Sequence, residues 1–374
     1  MADSFLVYSR QNSSGPDGAI GAIARMDPDG TAQELIYTPP AVSTPGGPLR
    51  PYSTPLQGSP DGTKVLISIK YGTLIAGDTW YWTPSYFLVM SVDGSDQVRV
   101  GVGGAVGAVS SGPSRPAKNT YKGTDFGVAA GTWIDNSTVA LLSQSPSDGT
   151  RKGWQICAID GSSNTFVDIG AVSDGGASLD YSDDTDGTLF CHPDTSRLCY
   201  GFVNSGGVGA VRMANHDGTH PVDLFSDISG ALSWQLLAIL NGGYRYFLFE
   251  SNGFDWYVKS EDEAISQHIR DESVWPSASF PAGLSPDNTL MASDTITPTS
   301  LFVCAYDGTL DTAGTIYPDT IATPGAGGPW PGFWGTCWVG SLGGVTPPPT
   351  PPMGSVTVGA PVTGLVRRSH VLGA

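Results

Sequence analysis

Two stretches of this sequence, together with its scattered histidines and cysteines, have the residue types that could do chemistry. The first stretch is the acidic run Asp180-Tyr181-Ser182-Asp183-Asp184-Thr185-Asp186-Gly187. Carboxylates crowded ahead of a glycine suit calcium, a hard cation that takes oxygen ligands from a sharply turned loop. Asp180, Asp184 and Asp186 are the candidate ligands. An EF-hand register starting at Ser182 places Pro193 where the closing glutamate should stand, so a solvated acidic loop is the competing reading. The second stretch is Asp78-Thr79-Trp80-Tyr81-Trp82-Thr83-Pro84-Ser85-Tyr86. Trp80, Tyr81, Trp82 and Tyr86 offer rigid amphipathic surface for a glycan or a protein partner. In a strand their side chains alternate between faces, and packing within the fold is the competing reading.

The five histidines, His192, His216, His220, His268 and His370, show no metal-ligand spacing. His216 and His220 bracket an Asp-Gly turn and could approach each other across it. The five cysteines are odd in number and contain no CxxC pair, which argues against a disulfide framework or a zinc site. Cys157, Cys191, Cys199 and Cys304 lie in apolar runs and read as small buried hydrophobes. Cys191 and Cys199 flank a turn, so a cross-hairpin disulfide is the alternative there. No GxSxG, HExxH, P-loop or GxGxxG pattern occurs. The 35 acidic residues offer many carboxylate pairs for glycoside hydrolysis but single out none. No catalytic residue is assigned, no cofactor is expected beyond the calcium candidate, and the reading leans away from an enzyme.

The elements that must position these residues are short strands in a repeat. An apolar run ends in Asp-Gly and then Ser or Thr at ARMDPDGT, LVMSVDGS, ICAIDGSS, RMANHDGT and VCAYDGTL. Asp-Gly between strand-like runs is a strong hairpin signal, because both residues tolerate positive φ. A second phrase alternates with it, a turn followed at once by an apolar strand: SPDGT before KVLISI, IDNST before VALLS, HPDTS before RLCYGF, LNGG before YRYFLFES and SPDNT before LMAS. Together they give four strands per unit, the content of a propeller blade. The turn glycines fall at Gly30, Gly94, Gly161, Gly218 and Gly308, and the last interval has room for one more unit. Its strands would be YRYFLFES and DWYVKSEDEAISQHI, with Ser260-Glu261-Asp262-Glu263 as its turn. The Gly/Pro/Ser-rich stretches 39–58, 101–128 and 172–187 read as loops.

The pairing of SPDG-type and DxDG-type turns resembles the TolB-like, or WD40-like, propeller repeat over roughly residues 4–340. The resemblance rests on Ser59-Pro60-Asp61-Gly62 with VMSVDG, and on Ser285-Pro286-Asp287 with CAYDG. In VMSVDG the first acidic position is Ser91, whereas Asp27-Pro28-Asp29-Gly30 keeps both. The expected fold is all-β: a single six-bladed β-propeller of four-stranded blades over 1–344. The N-terminus enters one strand late, since SFLVYS aligns with KVLISI, so the missing strand is expected from FWGTCWV at 333–339. Strands from both termini would then close the ring and remove its open edge. Trp330, Trp334 and Trp338 are assigned to that closure. Propellers host binding, scaffolding and catalysis alike, so the repeat speaks to fold and little to function.

The composition fits this architecture. Gly 50 and Pro 29 supply the turns, and an apolar fraction of 40% supplies a core. A formal charge of −17 disfavours binding to nucleic acid or an anionic membrane. The N-terminus reads MADSFLVYSRQNSSG, without the basic and apolar regions of a Sec signal peptide, which implies synthesis in the cytoplasm. No apolar run reaches membrane-spanning length.

After the ring come a proline-rich spacer, 345–353, and an arm, 354–374. The arm carries Val356, Val358, Leu365, Val366, Arg367, Arg368, Val371 and Leu372, candidates for docking to a protein partner by strand addition. A disordered tail is the alternative. The functional expectation is a non-catalytic interaction propeller among the subunits of a larger assembly, such as a bacteriophage virion surface, tail or decoration protein. A carbohydrate-active propeller enzyme and an intracellular WD40-type scaffold are the alternatives.

Overall fold

The structure, a computed structural model, describes residues 4–12, 19–40, 42–44, 47–75, 79–82, 86–101, 131–144, 152–169, 178–179, 189–192, 195–203, 209–225, 234–240, 245–250, 255–260, 266–271, 281–287, 289–294, 300–306, 315–318, 320–321 and 336–340. Met1–Gly343 forms one compact unit. The spacer and the arm lie outside the described residues.

The described chain is a succession of antiparallel sheets, each wound outward from its first strand. The first sheet contains β1 (Phe5–Asn12), β2 (Ala19–Met26) and β3 (Glu34–Tyr37). Its remaining strand, Thr336–Val339, comes from far along the chain and pairs antiparallel with β1, Phe5 opposite Val339 and Tyr8 opposite Thr336. The second sheet runs β4 (Val42–Thr44), β5 (Gly47–Gly58), β6 (Lys64–Ile75), β8 (Tyr86–Ser91) and β9 (Val98–Val100), and β7 (Thr79–Trp82) pairs with the far end of β6. The third is β10 (Gly131–Asp135), β11 (Thr138–Gln144), β12 (Lys152–Ala158) and β13 (Asn164–Asp168). The fourth has β14 (Ser178–Leu179) and β15 (Leu189–Cys191) on one side of β16 (Leu198–Val203), then β17 (Gly209–Ala214) and β18 (Val222–Phe225). The fifth is β19 (Trp234–Leu240), β20 (Arg245–Glu250), β21 (Asp255–Ser260) and β22 (Ser266–Asp271). The sixth is β23 (Pro281–Leu284), β24 (Leu290–Asp294), β25 (Ser300–Ala305) and β26 (Thr315–Pro318), and Thr336–Val339 is β27. The arrangement is an all-β propeller built on four-stranded blades.

Two stretches expected to be loops contain strands. Residues 39–58 hold β4 and the twelve-residue β5, and 172–187 holds β14. The prolines of β5 hid it. Proline cannot donate to a ladder, so it is confined to strands with an open side. β5 is the first long strand of its sheet and pairs along Arg50–Gly58 with β6 alone. Pro51 and Pro55 are four residues apart and thus share a phase, which lets both missing N–H groups face the open side.

Successive residues of a strand point to opposite faces, and here both faces are buried. In β6, Val65, Ile67, Ile69 and Tyr71 join Val7, Ile23 and Val339 between the first and second sheets. Leu66 faces the other way, joining Trp133, Val139 and Leu141 between the second and third. In β11 the alternation repeats, with Ala140 and Leu142 meeting Trp154, Leu198 and Tyr200 toward the fourth sheet. Leu6, Tyr8 and Trp338 pack on Ala292, Leu301 and Val303, joining the first sheet to the sixth. This explains the unbroken apolar runs: there is no solvent face to demand alternation.

Candidate functional site

The repeated turns are held by one device. Each aspartate turns forward so that its Oδ1 accepts from the backbone N–H two residues on: Thr31 to Asp29 at 3.0 Å, Ser95 to Asp93 at 2.9 Å, Ser162 to Asp160 at 2.9 Å and Thr219 to Asp217 at 3.0 Å. The hydroxyls of Thr31, Ser95 and Thr219 donate to the same oxygen. The alternate turns repeat the device: Thr63 on Asp61, Ser137 on Asp135 and Thr289 on Asp287. Ser59 and Ser285 add a further hydroxyl to Asp61 and Asp287. These donors favour the ionised form. The hydroxyl and amide of Thr31 hold Asp29 below the usual carboxylate range, and Asp93, Asp160 and Asp217 are lowered by the same contacts. At Asp61 and Asp287 burial pulls upward, but the donors outweigh it.

Among the described residues the glycine of each Asp-Gly pair takes positive φ, from 71° at Gly62 to 84° at Gly94. At Gly30, Gly94, Gly161 and Gly218 that conformation presents a bare Cα to the outer strand of the preceding sheet. Gly30 lies on the Tyr317 ring, Gly94 on the Ile36 carbonyl, Gly161 beside Arg99 and Val98, and Gly218 on Ile169 and Val167. The turn is thus both a hairpin and the contact that docks one sheet on its neighbour.

Near the first strands the joins are polar. Gln57 Oε1 accepts from Thr132 Oγ1 at 2.7 Å and from the Trp133 amide at 3.1 Å, while the Trp133 indole donates to the Gln57 carbonyl at 3.1 Å. Thr132 Oγ1 in turn accepts from the Cys191 amide at 3.0 Å, so one relay links β5, β10 and β15. Ser9 Oγ donates to the Ser53 carbonyl and Ser53 Oγ to the Gly21 carbonyl. The buried Arg10 reaches the Ile321 carbonyl at 2.9 Å. The relay was not legible in the sequence, since a lone Gln or Thr in a strand carries no local signal.

Of the candidate aromatic patch, Trp80, Tyr81 and Trp82 lie on β7, where Trp82 stands opposite Gly72 and Trp80 opposite Leu74. Tyr86 is not binding surface. It opens β8 opposite Ile69, is buried, and lies 6.3 Å from the Tyr71 ring in a stacked arrangement. The Arg99 guanidinium covers it at 4.9 Å. Burial, then contact with Tyr86, raises the hydroxyls of Tyr37 and Tyr71 above their ordinary range.

The alternative disulfide is not formed, and none of the five cysteines is in a disulfide. In the β15–β16 ladder Cys199 stands opposite Phe190 and Cys191 opposite Leu198, so the two thiols point to opposite faces of the hairpin. Burial pushes Cys157 and Cys191 up to about 12. His216 and His220 have separate environments. The His216 carbonyl accepts from the Trp154 indole at 2.7 Å across a sheet junction, while exposed His220 lies beside Asn215 and Thr219. Asp180, Asp184 and Asp186 lie outside the described residues, as do Val356, Val358, Leu365, Val366, Arg367, Arg368, Val371 and Leu372. Among the described residues no three His, Cys, Asp or Glu side chains are grouped to hold a metal ion.

No protein-family model and no curated protein matches the sequence. Solved structures match in three dimensions. TolB from Acinetobacter baumannii superposes with a TM-score of 0.55 at 11% identity, covering 90% of this chain and 66% of that one. The chain has the TolB-like β-propeller fold. A putative TolB from Agrobacterium tumefaciens matches with a TM-score of 0.46 at 10% identity, over 84% of this chain and 88% of that one. The TolB-like repeat read from SPDG and DxDG thus has its structural counterpart in the stapled turns. At 66% of the Acinetobacter chain, this propeller spans just under two thirds of that protein's length.

Proposed function

We propose that this TolB-like propeller is a non-catalytic interaction disc in a larger protein assembly, with the arm 354–374 as its anchor. The observation that carries this reading is where the described chemistry goes. The turn carboxylates, the Gln57–Thr132 relay and Arg10 are spent holding turns and sheets together. The thiols of Cys157 and Cys191 are buried toward the protonated form. Side chains committed in this way build a rigid platform on which partners can dock.

Within this reading each of the six sheets is one blade. Support comes from the first strands, which neighbour one another in the order β27, β5, β10, β15, β19, β23 and back to β27. The assembly we propose is a particle such as a bacteriophage virion, with this chain at its surface or tail. The support is the Gly-rich β architecture followed by the proline spacer and the apolar, arginine-bearing arm.

The test compares full-length protein with one ending at Gly344, by size and partner content of native material. Full-length protein in a large particle, with the truncated protein excluded, is the expected result. Both running as the same monomer overturns the anchor. Turnover in a glycan screen favours the carbohydrate-active alternative.

A further inference from the structure

We propose that the Asp-Gly turns of this fold are isoaspartate sites kept silent by their hydroxyl staples and their docking on the neighbouring sheet. At Asp29 and Asp93 isomerisation is consequently gated by the opening of a junction between sheets.

Asp-Gly is chemically vulnerable because glycine leaves the following amide unhindered. In isoaspartate formation the glycine nitrogen attacks Cγ of the aspartate. A carboxyl oxygen leaves as water, the amide proton is lost, and a five-membered imide closes. Water then opens the ring at either carbonyl, giving back aspartate or leaving the chain running through the β-carboxyl. The water released is the water returned, so no co-reactant is needed.

Each part of that path is obstructed here. The attacking N–H is engaged backward, Gly30 to the Asp27 carbonyl at 2.9 Å, Gly94 to Ser91 at 2.8 Å, Gly161 to Ala158 at 3.0 Å and Gly218 to Asn215 at 2.9 Å. The target carboxylate is turned forward onto the amide of the residue after the glycine. Those same donors keep it ionised, the poorer electrophile. Reaching the imide requires the backbone to swing about the aspartate. At Gly30 and Gly94 that motion is blocked by the Tyr317 ring and the Ile36 carbonyl. Asp61-Gly62 has the same backward bond, Gly62 to the Ser59 carbonyl at 2.9 Å, and the same staple.

The experiment incubates folded full-length protein and urea-unfolded protein at neutral pH and maps isoaspartate by peptide mass spectrometry. Asp29, Asp93, Asp160 and Asp217 should accumulate it at least about tenfold more slowly in the folded protein, the signature of a required local opening. Thr31→Val removes the staple hydroxyl at nearly constant shape. It should raise the rate at Asp29 by about tenfold, the weight of one charged hydrogen bond, and leave the other three sites unchanged. Equal rates at Asp29 in folded and unfolded wild-type chains overturn the proposal, as does a folded Thr31→Val protein that isomerises at the wild-type rate. If Thr31→Val does not fold, all four sites accelerate together, and the wild-type comparison decides alone.

Discussion

Gly94 and Ile36 are in backbone-to-backbone contact across the first junction: a Cβ on Gly94 would come within 1.9 Å of the Ile36 carbonyl oxygen. The Asp-Gly turn of the second sheet therefore has a steric requirement for glycine in addition to its φ of 84°. At Gly161 the nearest atom to such a Cβ is 3.6 Å away, so the requirement there is conformational alone.

Two alanine substitutions separate these contributions. Gly161→Ala should cost about 1–2 kcal/mol, the price of left-handed backbone with a side chain. Gly94→Ala adds a clash with backbone that cannot rotate away and should cost about 3 kcal/mol or more. Urea denaturation of the two variants reads the difference directly. Equal losses would mean that the first junction yields without resistance.

The pairing of β27 with β1 should be visible as an energetic asymmetry between two large apolar residues. Trp338 is 6% exposed and packs with Leu6, Tyr8 and Leu301 where the first and sixth sheets meet. Trp338→Ala should destabilise by about 3–5 kcal/mol. Ile316 is 54% exposed on the outer strand β26, and Ile316→Ala should stay within about 0.5 kcal/mol of wild type. Thermal melts that rank them the other way would show that the packing of Trp338 between the first and sixth sheets contributes little.

Acid sensitivity has two windows. Burial lowers His216 below its usual 6.5, against the upward pull of Asp135 and Asp217, and its Nε2 is buried with no hydrogen-bond partner among the described residues. The folded state then binds fewer protons there than the unfolded state. Its stability is full above pH ~6.5 and falls as pH drops from there toward the lowered folded value. His216→Gln should flatten this part of the profile, and urea midpoints at about pH 7.5 and pH 5 measure it. Identical slopes in variant and wild type would locate the sensitivity elsewhere. The stapled aspartates act lower down, with stability lost as pH falls below 3.8 through their depressed values.

Thiol chemistry should be silent in the folded protein. Cys157 is buried and pushed up to about 12, so almost none of it is thiolate at neutral pH. Iodoacetamide should leave Cys157, Cys199, Cys304 and Cys337 unmodified in native protein and alkylate all of them in urea. Rapid native labelling of Cys157 would show that the junction around Trp133 and Leu141 opens readily.

What was legible in the sequence was whatever chemistry acts locally. Asp-Gly-Thr announces a turn because its staple and its positive φ are complete within four residues, so the hairpins at Gly30, Gly94, Gly161 and Gly218 could be placed without a structure. The long strand β5 could not, because Pro51 and Pro55 look like a loop until one knows that the strand has an open side. For Tyr86 the sequence left binding surface and packing both open, because an aromatic run does not say which face its sheet buries. Gln57, which ties three first strands through Thr132, is indistinguishable locally from any solvent-facing glutamine. The disulfide alternative failed by one residue of register, a quantity fixed by the β15–β16 pairing rather than by the spacing of Cys191 and Cys199.

The pairing of Phe5–Asn12 with Thr336–Val339 also sets an order in time. On a ribosome adding ~5–20 residues per second, the first strand waits roughly tens of seconds for its partner to be made. Throughout that interval one edge of the first sheet is open to any strand that reaches it, including the same segment of a neighbouring nascent chain. Crowded synthesis would then favour exchange of Thr336–Val339 between molecules, giving interlocked pairs that share every native contact.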